Sequence, residues 1–426
     1  MRLRSTLYSL LLLTGLASAQ TYIAGATGGL WDYDYQPYIL SANAVVGARD
    51  TLRIDENVFV DLNHFELRIE GVLIATGAQW GNGGSLFGSG GDVFLTDCEF
   101  EGLTGGIKIY SGRAEIQNCL INNTAETGIT FNGSDSSFLD NNVISNSGDY
   151  GVKIRATDDI VFVRNILTGN STNDFNHPAL FIDSASPETI QYNIIENNHG
   201  QGIGVWSLSS ISQPAITNNI IRRNFTGITL VNAPIFLENN IIVANFQEGN
   251  SNSGAGIYAG YSNSNPIIMG NYIAGNYYGV SNINGATCNL GDLVNDDPGD
   301  DGLNIFASNM VEGVVWNIWN SNSAQLLAQN NYWPGLDIRD IDATLWDDEE
   351  GGGEILFEPI SLTPLPSPSD VNADININIL DAVVLVENLM APGFPDPVTF
   401  YLSDINHDYY LNIEDVVALV ELIIED

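Results

Sequence analysis

The chain has 426 residues, 44% of them hydrophobic, which is long enough for one large domain plus a small one and too apolar for a disordered polymer. Its 13 basic residues stand against 52 acidic ones, a formal charge of −39, so nucleic acid is a poor partner. Three cysteines, Cys98, Cys119 and Cys288, are too few for a disulfide scaffold, and folding has to come from an apolar core.

Residues 1–19 carry Arg2 and Arg4, a leucine-rich run over 7–16, and Ala17, Ser18 and Ala19, the pattern of a secretory signal peptide. That run is about half the ~20 residues needed to span a bilayer, and no other follows. The expectation is a secreted protein, extracellular or at the cell surface, without a membrane span. Removing Arg2 and Arg4 leaves 11 basic against 52 acidic residues, a charge near −41, which suits a saline or calcium-rich medium that screens self-repulsion.

From residue 98 to 276 a phrase recurs: "NNVISN", "RNILTGN", "YNIIENN", "NNIIRRN", "NNIIVAN", "GNYIAGN". Its anchors are Cys98, Cys119, Asn142, Asn165, Asn193, Asn219, Asn240 and Asn271, at similar but unequal intervals. Five anchors have a second asparagine five positions on: Asn170, Asn198, Asn224, Asn245 and Asn276. A period of roughly 20 to 30 residues, containing short alternating runs rather than helical periodicity, marks a β-solenoid with one coil per unit. Stacking at ~4.8 Å would align the anchors into a ladder of amides, with Cys98 and Cys119 as a buried thiol pair at its start and a disulfide as the less favoured alternative.

These repeats resemble the right-handed parallel β-helix proteins secreted by bacteria, and the likeness runs from about 22 to 360, closing with "NNYWP" and "DATLWDDEEGGGEILFEP". The resemblance implies an all-β, three-sided solenoid over 20–360. It leaves the chemistry open, because that fold carries lyases, hydrolases, epimerases and adhesins.

In the strand after each small corner residue the aliphatic side chains should point inward and their neighbours outward. One outer column then reads Lys108, Thr130, Lys153, Phe181, Gly204, Thr229, Tyr258 and Ser281; the next reads Tyr110, Asn132, Arg155, Asp183, Trp206, Val231 and Gly260. Aromatics beside hydrogen-bonding charges suit sugar rings, which makes Tyr110, Phe181, Trp206 and Tyr258 candidate contacts for an extracellular polysaccharide. The longer coils put "NSTNDFNHP" and "FQEGNSNSGA" at the corner before this strand, as walls of a groove. Lys153, Arg155 and Asp183, with Asp158 and Asp159 near, are candidate catalytic residues of a polysaccharide lyase or glycoside hydrolase. A surface ion pair explains Arg155 and Asp183 equally well, and His177 and His199 read as polar surface residues. Binding, catalysis and a purely structural surface or adhesion role all remain open.

Next, "NDDPGDDG" gathers Asp296, Asp297, Asp300 and Asp301, either a calcium loop or a solvated acidic one. A Pro-rich linker over 361–369 then leads into residues 370–426, which hold 12 acidic residues and no Lys or Arg. Loop 370–381 has oxygen donors at positions one, three, five, nine and twelve: Asp370, Asn372, Asp374, Asn378 and Asp381. The same set returns in loop 404–415 as Asp404, Asn406, Asp408, Asn412 and Asp415, and each loop continues into an apolar helical run. Hard oxygen donors in two matching registers point to calcium. The tandem resembles the type I dockerin, an EF-hand-like module that attaches secreted enzymes to a cohesin. The resemblance implies a small α-helical domain with two calcium loops, a cohesin-like partner, and carbonyl ligands at Asn376 and Tyr410. Position six, glycine in that family, is Ile375 in one loop and Tyr409 in the other.

Overall fold

The computed structural model describes residues 20–134, 136–208, 214–247, 254–361 and 365–425; the signal-peptide expectation at 1–19 lies outside them. The chain winds into a parallel β-solenoid with three faces. In a representative coil it runs along face one at Ala114–Gln117, face two at Leu120–Asn122 and face three at Ile129–Asn132, then re-enters face one at Ser137–Asp140. Face one is an 11-stranded parallel sheet. Face two runs from Phe59–Asp61 to Ile305–Ala307, and face three from Glu66–Ile69 to Leu345–Trp346.

Alternation along each strand explains the winding. In Gly106–Tyr110 the side chains of Ile107 and Ile109 are fully buried while Lys108 and Tyr110 face outward. The next coils bury Ile129 and Phe131, Val152 and Ile154, then Leu180 and Ile182 directly above them. Each such side chain contributes about 1.5–3 kcal/mol on leaving water.

The asparagine phrases sit at the two corners of face two, and the doubled letter has a reason. The first residue of each corner turns the chain in the left-handed region, as Asn141, Asn218 and Asn239 do at φ 55°. Asparagine tolerates that conformation better than most residues. The second residue points inward and joins the ladder. Asn193 shows the pattern: its Nδ2 donates to Asn219 Oδ1 (2.9 Å) and the Phe162 carbonyl (3.0 Å), while its Oδ1 accepts from the backbone N (2.8 Å) and Nδ2 (3.2 Å) of Asn165. This ladder runs from Asn142 through Asn165, Asn193, Asn219, Asn240, Asn271 and Asn304 to Asn331. A parallel one starts at Asn170 and passes through Asn198, Asn224, Asn245, Asn276, Asn309 and Asn317 to Thr344. Cys98 and Cys119 are free, buried thiols below the first ladder, and the Cys119 backbone N donates to Asn142 Oδ1 (2.9 Å).

Helix α1 (Ile338–Asp342) lies in the closing segment, capped by Asp337, and Trp333 stacks on Phe306 (4.7 Å, 20°) at the same end. Helices α2 (Ile379–Met390), α3 (Pro397–Ser403) and α4 (Ile413–Glu425) follow. Leu385 of α2 and Leu419 of α4 are fully buried in a small core of their own with Val371 and Ala382. Phe400, Tyr401 and Leu402 of α3 pack instead on face two, against Ile220, Ile241, Val243, Tyr272, Ala274 and Ile305.

Asn193→Ala removes an acceptor that serves two buried donors of Asn165. The Asn165 Nδ2 keeps the carbonyls of Leu139 and Val163, so the backbone N–H is the donor left stranded, and the substitution should lower unfolding free energy by about 1–3 kcal/mol in urea denaturation followed by circular dichroism. Wild-type stability in that variant would show the ladder to be passive filling.

Candidate functional site

Strand register places the two outer columns of face three as their spacing implies. Lys108 pairs with Thr130, Thr130 with Lys153, Lys153 with Phe181, Phe181 with Gly204, Gly204 with Thr229, Thr229 with Tyr258, and Tyr258 with Ser281. The second column is likewise continuous from Tyr110 through Asn132, Arg155, Asp183 and Trp206 to Val231 and Gly260.

At the middle of these columns the side chains form one cluster. Tyr150, at the corner before Gly151, stacks on Phe181 (5.1 Å, 12°) and on His177 (4.4 Å, 21°). Trp206 meets Phe181 edge-on (5.1 Å, 87°). The Lys153 ammonium lies 4.6 Å from the centre of the Tyr150 ring and 5.5 Å from that of Phe181, an arrangement attractive through the ring quadrupoles. Burial, and then the charge of Arg155, pull the Lys153 amine below the ordinary lysine range, while Asp183 and Asp149 oppose them. Arg155 pairs with Asp183 at 3.2 Å, and Lys108 with Glu126 at 3.4 Å. A depression of about 240 Å³ next to the cluster is lined by Lys108, Tyr110, Glu126, Asn132, Lys153 and Arg155.

Of the four aromatics read from the columns, Tyr110 and Trp206 are exposed, Tyr258 is half-buried and Phe181 is buried. Phe181 therefore supports the rings around it. Tyr258 lies three coils from Phe181, roughly 14 Å at the strand spacing, outside the cluster. The columns do not include Tyr150, which sits at a corner, and they leave His177 as a surface residue. The insertion "NSTNDFNHP" carries His177 over Tyr150, with Nδ1 3.7 Å from Asp149. Asp158, whose Oδ1 accepts from the Ser186 backbone N (2.8 Å), serves a turn, and His199 makes no ring contact with the cluster among the described residues. The second insertion falls largely on 248–253, outside the described residues.

The two C-terminal loops share one hydrogen-bond plan. Asp381 accepts from the backbone N of Asn372 (3.1 Å) and Asn378 (2.8 Å), and Asp415 accepts from Ile405 (2.9 Å) and Asn412 (2.9 Å). Asp370 Oδ2 takes the N–H of Ile375 (2.9 Å), and Asp404 Oδ2 that of Tyr409 (3.1 Å). Position six is left-handed in both, Ile375 at φ 79° and Tyr409 at φ 64°, the conformation for which glycine is the usual choice. Asn376 N donates to Asp374 Oδ1 and Tyr410 N to Asp408 Oδ1, while Asn406 Oδ1 accepts from Asp408 N.

No group of three or more His, Cys, Asp or Glu gathers at metal-holding geometry among the described residues. At its candidate ligand positions each loop nonetheless offers hard oxygens, and among the described residues Asp404 Oδ1 is buried with no hydrogen-bond partner. Burial, with Asp415 beside it, pushes the Asp404 carboxyl up to about 7, the mark of a carboxylate enclosed without a counter-charge. The donor set fits a calcium ion. In the acidic loop, Asp296 and Asp297 are exposed and Asp301 is half-buried. Asp300 turns inward, its Oδ2 accepting from Asn289 (2.8 Å) and Asn295 (3.0 Å).

The depressed Lys153 amine is directly measurable, because the chain has only two lysines. A lowered pKa means that the neutral, nucleophilic amine appears at lower pH. Acetylation of Lys153, followed by peptide mass spectrometry across a pH series, should show a midpoint below the ~10.4 of a free lysine side chain. A midpoint at or above that value would contradict the packing described.

The model of the right-handed β-helix region matches residues 57–212 and 167–251. No curated protein matches the chain. Among solved structures, two mutants of the periplasmic alginate epimerase AlgG align with a TM-score of 0.50 and 14% identity, over 75% of this chain and 76% of theirs. The A-module of the mannuronan C-5 epimerase AlgE4 of Azotobacter vinelandii aligns at 15% identity over 68% of this chain and 88% of its own, with a TM-score of 0.38. At such identities the likeness is one of fold. No helix among the described residues is long and apolar enough to cross a membrane. The parallel coils and the matched region together support reading this stretch as right-handed β-helix repeats.

Proposed function

We propose that face three engages an acidic extracellular polysaccharide, and that the protein is displayed through a calcium-ordered, dockerin-like C-terminal module. The observation that carries the first part is Lys153, held over Tyr150 and Phe181 beside Arg155 in a chain with only 13 basic residues. The exposed Trp206 and Tyr110 rings flank it and suit the apolar faces of sugars. Lys108, Lys153 and Arg155 line one depression and would meet the carboxylates of a uronate polymer. The periplasmic alginate epimerase that shares the fold is named for a polymer of that kind, which is in keeping with the reading.

The depressed Lys153 amine favours a second reading, a lyase or epimerase. A neutral amine could take the proton alpha to a uronate carboxylate while Arg155 stabilises the charge that develops there. Elimination would then break the bond to the 4-oxygen and leave a carbon–carbon double bond; return of a proton to the other face would invert the sugar.

In the module, calcium would be held in loop 370–381 by Asp370, Asn372, Asp374, Asn378, Asp381 and the Asn376 carbonyl. Loop 404–415 would supply Asp404, Asn406, Asp408, Asn412, Asp415 and the Tyr410 carbonyl. Exposed apolar residues on the helices, Ile379, Leu380 and Val383 on α2 and Ile413 and Val417 on α4, support attachment to a cohesin-like or cell-surface partner.

Glycan-array binding of the mature chain should be strongest to uronate polymers. It should fall at least tenfold in Trp206→Ala and in Lys153→Met, and it should weaken as salt rises. Equal binding by wild type and both variants, or none by any, removes the site and leaves a structural surface role. Incubation with alginate and pectin in deuterated water separates the readings. Unsaturated ends or deuterium in recovered sugars, lost in Lys153→Met, mark catalysis, and an unchanged polymer marks binding alone.

A further inference from the structure

The C-terminal module is fastened to the solenoid by an element that neither the polysaccharide reading nor the dockerin likeness requires. We propose that face two is a built platform for this module, and that seating on it and cation binding in loop 404–415 form one coupled equilibrium. The proposal rests on the calcium reading above and adds the solenoid as a determinant of one of the two sites.

The platform is apolar where an exposed sheet would be polar. Outward residues Ile220, Ile241, Tyr272 and Ile305 stack in one column, with Val243 and Ala274 in the next, and all are buried under α3. Tyr272 contacts the rings of Phe400 (6.0 Å) and Tyr401 (5.8 Å).

Beside this apolar patch, two arginines grip the loop. Arg222 is held by Glu196 at 2.7 Å and donates from Nη1 to the Tyr409 carbonyl (2.6 Å). Arg223 donates from Nη2 to the Asp408 carbonyl (2.9 Å). The Tyr410 ring lies beneath both guanidiniums, 3.6 Å from Arg222 and 4.7 Å from Arg223. Residues 408, 409 and 410 are positions five, six and seven of the loop, so the grip falls on the two peptide carbonyls between the Asp408 carboxylate and the Tyr410 carbonyl, both proposed ligands.

Tyr409 stands at the left-handed position that glycine suits best. Its hydroxyl comes so close to Gly275 that a Cβ there would overlap it. The side chain that strains the turn is thus the one that anchors the loop. In loop 370–381 the carboxylates of Asp370 and Asp381 take their hydrogen bonds from the loop's own residues, and its position-six Ile375 is 93% exposed.

A loop whose turn is already fixed loses less conformational freedom on taking a cation. The buried Asp404 Oδ1, without a hydrogen-bond partner among the described residues, gives that cation a ligand already in place. Whatever docking adds to cation affinity, the cation must return to docking by the same factor.

Two substitutions in the full chain test this. Tyr409→Gly restores the residue that suits a left-handed turn and removes the anchor. Gly275→Asn fills the space the anchor occupies, at a left-handed corner where other coils carry Asn197 or Ala244, so the solenoid should tolerate it. Calcium titrations by calorimetry should show two sites in the wild type. In each variant one site should weaken at least tenfold while the other is unchanged, and limited proteolysis before α2 should accelerate in calcium. Wild-type chain in chelator should be cut as fast as the variants. If Tyr409→Gly binds both ions as tightly as wild type, or more tightly, the loop responds to turn strain alone and the coupling is wrong. Protection from proteolysis that is the same in calcium and in chelator is equally fatal. A wild type that gives no calcium heat removes the calcium reading together with the coupling, whereas two unaltered sites in both variants remove the coupling alone.

Discussion

Everything outside the solenoid core depends on one hydrogen-bonding constraint within it. A buried asparagine amide has two N–H donors and an oxygen that can accept twice, and at Asn193 all four are used between neighbouring coils. Because Asn193 must meet Asn165 below and Asn219 above, a coil cannot slip by one residue without stranding several buried polar groups. The ladders therefore fix the angular register of successive coils even though the coils differ in length, the step from Asn219 to Asn240 being shorter than that from Asn240 to Asn271. Insertions are expelled to a corner, and the outer columns of face three remain straight. The alignment of Lys153 under Phe181 follows from a rule enforced at the corners of face two.

How far the sequence can be read follows from the same rule. The coil period, the inward aliphatics and the outer columns depend on residues repeated in every coil, so Asn142, Ile154 or Lys153 could be placed from spacing alone. Tyr150 and His177 could not. Tyr150 occupies a corner just outside the strand, and His177 reaches it through an insertion whose path no neighbouring coil repeats. Phe181 was readable as an outward residue but not as a covered one, because its burial comes from Tyr150 and Trp206, which belong to other coils.

Face two records its covering in the strands themselves. Leu120–Asn122 and Ile166–Thr168 bury only their central residue, as a strand with one wet face should. Ile220–Arg222, Ile241–Val243 and Tyr272–Ala274 bury all three residues. The runs "IIV" and "YIA" thus lose the period of two where α3 lies over them, and the third residue of "IIR" is covered by the Tyr410 ring. Loss of alternation in a few consecutive coils is a local sequence sign that something packs there, and it is independent of the loop chemistry that singles out the module.

Scarcity of positive charge connects the two regions. With 13 basic residues against 52 acidic ones, any cation has a carboxylate to pair with, and several on the coils do so: Arg164 with Asp140, Arg113 with Glu115, Arg155 with Asp183. Exposed pairs of that kind contribute ~0–1 kcal/mol and would be satisfied almost anywhere on such a surface. Lys153 and Arg223 are placed differently, one over two rings and the other on a carbonyl and a ring. Ring and carbonyl contacts are directional in a way that a diffuse acidic surface is not, so these cations are fixed in position rather than merely neutralised. On face three that leaves an ammonium held at the edge of an open depression. On face two it leaves a guanidinium closed against a loop whose buried carboxylate oxygen has no partner among the described residues.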